Sequence, residues 1–191
     1  MPSKAKPDRA LLLTPGASAG REQPALVAIE KALAPVPVER MDFPYRKAGR
    51  RSPDKAPVLI AAVDEGASEL SKRTGLAPDR LVLGGRSMGG RMCSMAVAEG
   101  LPALGLALVS YPLHPPGKPE KSRTEHLPSI KVPCLFVSGT RDAFGTADEL
   151  EAATATIPGS VTHVWIDGGD HGLRRRDDEV AAVVRDWVLS L

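Results

Sequence analysis

The sequence predicts a doubly wound, mostly parallel α/β sheet of about six strands, with helices on both faces. Short apolar runs alternate along the chain with amphipathic stretches, a pattern typical of parallel strands joined by crossover helices. Hydrophobic residues make up 42% and charged residues 25% of the 191 residues, which suits one domain with a sizeable core. We therefore expect a flexible terminus at residues 1–9 and a single domain at residues 10–191.

The first half of the chain alternates strand, helix, strand and helix. Residues 10–14 are an apolar run that ends in a glycine-containing turn, so they are predicted to be a buried strand. Residues 23–34 carry apolar side chains on one helical face, and residues 36–43 follow as a second strand. The basic residues 46–55 include a glycine and a proline and are predicted to be a loop. Residues 58–74 are predicted to be a long helix, which ends before a glycine and a proline.

The second half continues this alternation around one proline-rich loop. Residues 80–84 are predicted to be a strand, residues 88–99 a helix and residues 103–110 the next strand. Residues 111–131 contain five prolines, which preclude a long regular helix because proline lacks an amide hydrogen. The last elements are a strand at 132–138, a helix at 147–155, a strand at 161–166 and a closing helix at 179–191.

Charge and apolar run lengths exclude several classes of function. The formal net charge is +2 and no long basic run occurs, so we expect no nucleic-acid partner. No apolar run reaches the length of a signal peptide core or a membrane span, which predicts a cytoplasmic protein without membrane attachment. Cys93 and Cys134 lie in apolar stretches and are predicted to be reduced core thiols, with a buried disulfide as the alternative.

The strongest chemical signal lies between a predicted strand and the helix after it, where the chain reads G-R-S-M-G from Gly85 to Gly89. In a G-x-S-x-G elbow, a sharp turn lifts the serine above the sheet edge, and the two glycines leave room for neighbouring backbone. We predict that Ser87 is a nucleophile and that the amide of Met88 stabilises an oxyanion. The alternative is a glycine-rich turn needed only for packing.

Such a serine requires an acid and then a histidine later in the chain. His171 follows the last predicted strand on a short loop, from which an imidazole can reach over the strand ends, whereas His163 lies within that strand. Asp142 directly follows the preceding strand and is predicted to orient the imidazole. Asp170 is the competing acid. The alternative roles are a solvated loop residue for His171 and a helix cap or turn residue for Asp142.

The turn after the first strand is predicted to supply a second oxyanion donor, from the amide of Gly16 or Ala17. Pro15 has no amide hydrogen and cannot donate. Basic residues at 46–51 and 118–123 follow strand ends, where they could bind an anionic substrate or, as the favoured alternative, form a solvated rim. The residues predicted to contact substrate are Arg46, Arg86, Tyr111 and His114.

With these residues placed, the chain resembles the α/β-hydrolase superfamily, and more narrowly a small dienelactone-hydrolase-like group that includes bacterial proteins and animal testis-expressed hydrolase-like proteins. The resemblance extends from about residue 10 to the end. Relatives tend to have histidine before glycine in the oxyanion turn, whereas this chain has Pro15. The stretches in which this chain is similar to the family are DFPYR at 42–46, GRR at 49–51, GRSMGG at 85–90, YPLHPPGK at 111–118 and GDH at 169–171.

The resemblance implies an α/β-hydrolase domain without a cap domain, with Ser87 as nucleophile, Asp142 as acid and His171 as base. The leading hypothesis is a serine hydrolase that cleaves esters or thioesters of small acyl substrates and requires no metal or organic cofactor. A catalytically silent scaffold protein of the same fold is the alternative. Nucleotide binding is disfavoured because the full dinucleotide fingerprint and the phosphate-loop lysine are missing. Monomer and homodimer both remain open.

Overall fold

A computed structural model of the chain describes residues 7–191, and a six-stranded parallel sheet forms its centre. The strand order is β2-β1-β3-β4-β5-β6, and every neighbouring pair is parallel. The prediction of a doubly wound parallel sheet is confirmed. The strands are β1 (Ala10–Thr14), β2 (Val38–Arg40), β3 (Leu81–Arg86), β4 (Gly105–Val109), β5 (Cys134–Gly139) and β6 (Val161–Ile166).

Helices cover both faces of the sheet and enclose two apolar cores. Successive side chains of a strand point to opposite faces, so Leu11 and Leu13 of β1 enter one core and Leu12 enters the other. Helices α1 and α6 pack together over the first core, and α3, α4 and α5 contribute to the second. The helices are α1 (Pro24–Leu33), α2 (Pro44–Lys47), α3 (Ala56–Thr74), α4 (Met88–Ala98), α5 (Ala147–Thr154) and α6 (Asp177–Ser190).

The strand order reverses direction between β1 and β3. From β1 the chain proceeds to β2 at one edge, and from β3 it proceeds through β4 and β5 to β6 at the other edge. The connections at the carboxyl ends of β1 and β3 therefore diverge and leave a crevice between them. In doubly wound sheets, ligands bind at such a crevice.

The second strand and the basic loop after it differ from the prediction. Strand β2 has three residues instead of the eight predicted at 36–43, and the short helix α2 overlaps the start of the predicted loop. β2 is an edge strand that pairs only with β1. Phe43 and Tyr45 are fully buried and stacked at 6.4 Å, which draws the chain into the core, and Pro44 suits the first position of a helix.

The remaining predictions differ mainly in their boundaries. Residues 111–131 contain two short 3₁₀ turns, at Pro119–Lys121 and Leu127–Ser129, and no long helix, as their prolines predicted. Cys93 and Cys134 are free and buried, which confirms the prediction of core thiols.

The amino terminus was predicted to be flexible over residues 1–9. Residues 1–6 of it lie outside the described residues. Arg9 donates to the Val188 carbonyl at 2.7 Å. Among residues 7–191, no helix combines the length and apolar character needed to cross a bilayer.

Candidate active site

Ser87 occupies a strained turn between β3 and α4. Its φ of 52° and ψ of −120° lie in a region that residues with side chains rarely adopt. The Ser87 amide donates to the Val109 carbonyl at 2.8 Å, which anchors the turn to β4. Serine often caps a helix with its hydroxyl, but at Ser87 the side chain makes no capping hydrogen bond. The turn therefore leaves the Ser87 hydroxyl available for another partner.

The two glycines that flank this turn are required by the close approach of β1. A Cβ atom on Gly85 would lie 2.0 Å from Thr14 Oγ1, and one on Gly89 would lie 2.5 Å from the Pro15 carbonyl oxygen. Both distances are far below van der Waals contact, and a backbone carbonyl has little freedom to move away. The pattern G-x-S-x-G thus follows from the packing of α4 against the end of β1.

We expect Gly89→Ala to destabilise the protein by about 1–3 kcal/mol, because the new methyl group collides with the Pro15 carbonyl. The sign is informative, since glycine to alanine in a helix normally stabilises by up to about 1 kcal/mol. Urea unfolding monitored by circular dichroism measures the change. Ala61→Gly, at an exposed position of α3, serves as the control and should lose about 1 kcal/mol through helix propensity alone. A Gly89→Ala protein more stable than wild type would contradict this explanation of the turn.

The hydroxyl of Ser87 lies next to the imidazole of His171, which in turn contacts Asp142. Ser87 Oγ and His171 Nε2 are 2.9 Å apart, and His171 Nδ1 lies 3.0 and 2.8 Å from the two carboxylate oxygens of Asp142. The carboxylate accepts only, so Nδ1 donates to it and Nε2 is left to accept the Ser87 proton. The Asp142 side chain is 2% exposed and the His171 side chain 21%. The structure thus brings the three residues predicted as nucleophile, base and acid into one hydrogen-bonded chain.

The loops after β5 and β6 place the acid and the histidine side by side. The Arg141 amide donates to the Gly169 carbonyl at 2.8 Å, and the Gly168 amide donates to Thr140 Oγ1 at 2.9 Å. A side chain on Gly139 would collide with the Gly169 carbonyl, because a Cβ atom on Gly139 would lie 2.2 Å from that oxygen. The competing acid, Asp170, lies in the same loop as His171 but is exposed.

Two further side chains hold the imidazole in place: Phe144, which no sequence motif singled out, and Arg86, which was predicted to contact substrate. Phe144 stacks on the His171 ring with centroids 3.9 Å apart, and its amide donates to Asp142 Oδ1 at 2.8 Å. Arg86 donates to the His171 carbonyl at 2.6 Å, and its own burial lowers its pKa. An aromatic residue two positions after the acid was the available signal, but contact with an imidazole 27 residues later depends on tertiary structure.

The structure distinguishes between the two candidates for the second oxyanion donor. The Gly16 amide already donates to the Gln23 side-chain oxygen at 3.0 Å. The amides of Ala17 and Met88 make no protein hydrogen bond among the described residues, and both residues line the cavity beside Ser87. Ala17 is therefore the better partner for Met88, and its role as an oxyanion donor remains a prediction.

A cavity of about 440 Å³ opens beside Ser87 and His171 at the carboxyl ends of β1 and β3. Of the four residues predicted to contact substrate, only Arg86 lines it. Tyr111 is buried and donates to the Arg123 carbonyl at 2.9 Å, and burial raises its pKa to about 12. His114 is buried against the Pro115 carbonyl, and Arg46 belongs to α2. Within residues 7–191, no three His, Cys, Asp or Glu side chains cluster to hold a metal ion.

A second serine–histidine contact, between Ser94 Oγ and His126 Nε2 at 2.8 Å, lies deeper in the protein. Ser94 is fully buried, so no substrate can reach its hydroxyl. That hydroxyl donates its single proton to the Arg91 carbonyl at 2.8 Å, and Nε2 of His126 must therefore donate to the serine. A ring nitrogen that donates cannot act as a base, so this contact is structural.

Burial, together with the charge of Arg91, lowers the pKa of His126 to about 4. The unfolded chain takes up this proton near pH 6.5, whereas the folded state takes it up only near pH 4. The contribution of His126 to the free energy of unfolding should therefore be fully present above pH 6.5 and be lost as the pH drops towards 4. Denaturant titrations across this range should show a shallower pH dependence for His126→Gln than for wild type, and equal slopes would contradict the prediction.

The sequence of residues 7–185 matches the family described as alpha/beta hydrolase domain. An alpha-beta serine hydrolase homologue from Coxiella burnetii superposes with a TM-score of 0.76 at 14% identity, covering 96% of this chain and 86% of that one. A dienelactone hydrolase from Anabaena variabilis superposes with a TM-score of 0.75 at 17% identity, covering 97% of this chain and 88% of that one. A thioesterase from the prodiginine biosynthetic pathway of Streptomyces coelicolor superposes with a TM-score of 0.70 at 17% identity, covering 95% of this chain and 86% of that one. The resemblance and the cap-less fold inferred from the sequence are confirmed, and the chain belongs to the α/β-hydrolase family.

Proposed function

We propose that this protein is a serine hydrolase that cleaves ester or thioester bonds of small acyl substrates through an acyl-enzyme intermediate. The observation that carries the proposal is the 2.9 Å contact between Ser87 Oγ and His171 Nε2 at the wall of an open cavity. A serine hydroxyl bonded to an imidazole that a carboxylate orients is the arrangement that activates this nucleophile. Asp142 supplies that carboxylate.

In the first half of the reaction, Ser87 Oγ attacks the carbonyl carbon while His171 Nε2 takes the hydroxyl proton. The carbonyl oxygen becomes an oxyanion between the amides of Met88 and Ala17, and the amino terminus of α4 adds a favourable dipole. Collapse of this intermediate breaks the bond to the leaving alcohol or thiol, which receives the proton from His171. An acyl group is left on Ser87.

In the second half, water takes the place of the leaving group. The water oxygen attacks the acyl carbon while His171 removes one proton from the water. His171 then donates that proton to Ser87 Oγ as the carboxylic acid product is released. These steps use side chains, backbone amides and water alone. A cavity of about 440 Å³ suits small acyl groups, and the names dienelactone hydrolase and thioesterase borne by two structural relatives support this reaction class.

Labelling with a fluorophosphonate probe tests the proposal directly. The probe forms a covalent bond only with a serine that is both accessible and activated, so wild type should be labelled and the modified peptide should contain Ser87. Ser87→Ala should abolish labelling, since the buried Ser94 hydroxyl is out of reach. A folded wild-type protein that resists the probe would instead favour a catalytically silent scaffold.

A further inference from the structure

The cavity beside Ser87 is lined by three arginines, Arg86, Arg91 and Arg123. Within residues 7–191, none of the three forms an ion pair with a carboxylate. Arg86 bonds to the His171 carbonyl and lies in the field of three aspartates, so its charge is partly compensated. Among the residues that the structure describes, no carboxylate is one of the charges that act on Arg123.

Arg91 has a buried donor without a partner. Its Nε atom is inaccessible to solvent and makes no hydrogen bond to the described protein. Leaving a buried charged donor unpaired is costly, and native proteins rarely do so without a functional reason. The Arg91 amide donates to the Ser87 carbonyl at 3.1 Å, so Arg91 lies one helical turn, about 5 Å, beyond Ser87 on α4. Arg91 and Ser87 also line the same cavity, so the part of this guanidinium group that reaches the cavity is close to the proposed nucleophile.

The neighbours of Arg91 supply no negative charge. Ser94 and Tyr111 present hydroxyls, and His126 is held neutral because burial and the charge of Arg91 lower its pKa to about 4. Arg123 makes one long bond, 3.3 Å, to the Pro112 carbonyl, and burial together with the charge of Arg91 lowers its pKa. Two guanidinium groups thus line the cavity, and within residues 7–191 neither has a carboxylate at ion-pair distance.

We propose that Arg91 and Arg123 bind an anionic group of the substrate, a carboxylate or a phosphate, while Ser87 acts on an ester or thioester bond about one helical turn away. This inference rests on the proposed hydrolase function. A guanidinium group presents parallel donors that match the two oxygens of a carboxylate or phosphate, and such charge-assisted bonds are strong. An anion placed between the two arginines would also relieve their mutual repulsion.

The test compares matched esters that differ by one negative charge. Mono-p-nitrophenyl glutarate against p-nitrophenyl butyrate places the charge in the acyl group, and 3-acetoxybenzoate against phenyl acetate places it in the leaving group. Spontaneous hydrolysis is subtracted in each case. Wild type should prefer one charged ester over its neutral counterpart by about tenfold or more in kcat/KM. The pair that shows the preference identifies which side of the scissile bond faces the arginines.

Arg91→Met and Arg123→Met should each lower this preference about tenfold, whereas Arg80→Met should not change it. Arg80 is an exposed arginine that precedes β3 at the opposite end of the sheet from the cavity. Arg91→Lys, which keeps the charge but loses the parallel donors, should retain part of the preference. Thermal unfolding of each variant verifies that it is folded.

Calorimetric titration with glutarate separates this inference from the hydrolase proposal. Binding to wild type that is lost in Arg91→Met supports the anion site even if no ester is cleaved, in which case the hydrolase proposal fails alone. Cleavage of neutral esters without any preference for charge, together with equal glutarate binding by wild type and Arg91→Met, would overturn the anion site and leave the hydrolase proposal intact.

Discussion

Ser87→Ala should lower the turnover of p-nitrophenyl butyrate by about a thousandfold or more. The substitution removes the oxygen of the proposed nucleophile, while the cavity, the backbone amides of Ala17 and Met88 and the His171–Asp142 pair stay in place. The residual rate should come from the oxyanion donors and substrate positioning, which still accelerate the reaction of water. Steady-state kinetics of purified wild type and variant, with the spontaneous rate subtracted, measure the loss.

Ser94→Ala provides the matched comparison, because it removes the hydroxyl of a second serine that contacts a histidine. Ser94 is buried and cannot be acylated, so this variant should be at least about a hundredfold more active than Ser87→Ala. Equal losses in the two variants would show that the kinetic effect reflects damage to α4 rather than removal of a nucleophile. Circular dichroism on both proteins checks that the total helix content is unchanged.

Asp142→Asn should lower kcat by about a thousandfold to ten-thousandfold with little effect on stability. The carboxylate accepts the proton of His171 Nδ1, and this bond leaves Nε2 free to accept the proton of Ser87. The new amide can donate its own hydrogen to Nδ1, which favours the tautomer that carries its proton on Nε2. An imidazole in that tautomer cannot deprotonate the serine. Kinetics with p-nitrophenyl butyrate measure the effect.

Asp170→Asn is the control, since Asp170 immediately precedes His171 in the chain and is exposed. Its loss should change kcat by less than about threefold, because surface charges are well screened. If Asp170→Asn were the more damaging of the two substitutions, the assignment of Asp142 as the acid would be wrong. Both variants carry the same chemical change, so their comparison is free of differences in side-chain size.

The local pattern of the sequence was sufficient to predict most of the fold. β1 and β6 begin and end at the predicted residues, because each is a compact apolar run bounded by turn residues. The strand predicted at residues 36–43 was too long, because only Val38–Arg40 join the sheet. An edge strand has one pairing partner, and how far it continues depends on what the neighbouring side chains bury.

The sheet class, the strand-to-helix elbow and the chain order of Ser87, Asp142 and His171 could be predicted from the amino-acid sequence, because each depends on local periodicity or on known turn chemistry. Three other features required the folded structure: which amide near residue 16 is free, which acid faces the imidazole and which arginines line the cavity beside the serine. These contacts join residues that lie far apart in the chain. Arg91 and Arg123 come together because α4 and the proline-rich loop pack over the same end of the sheet, and no local pattern encodes that distance.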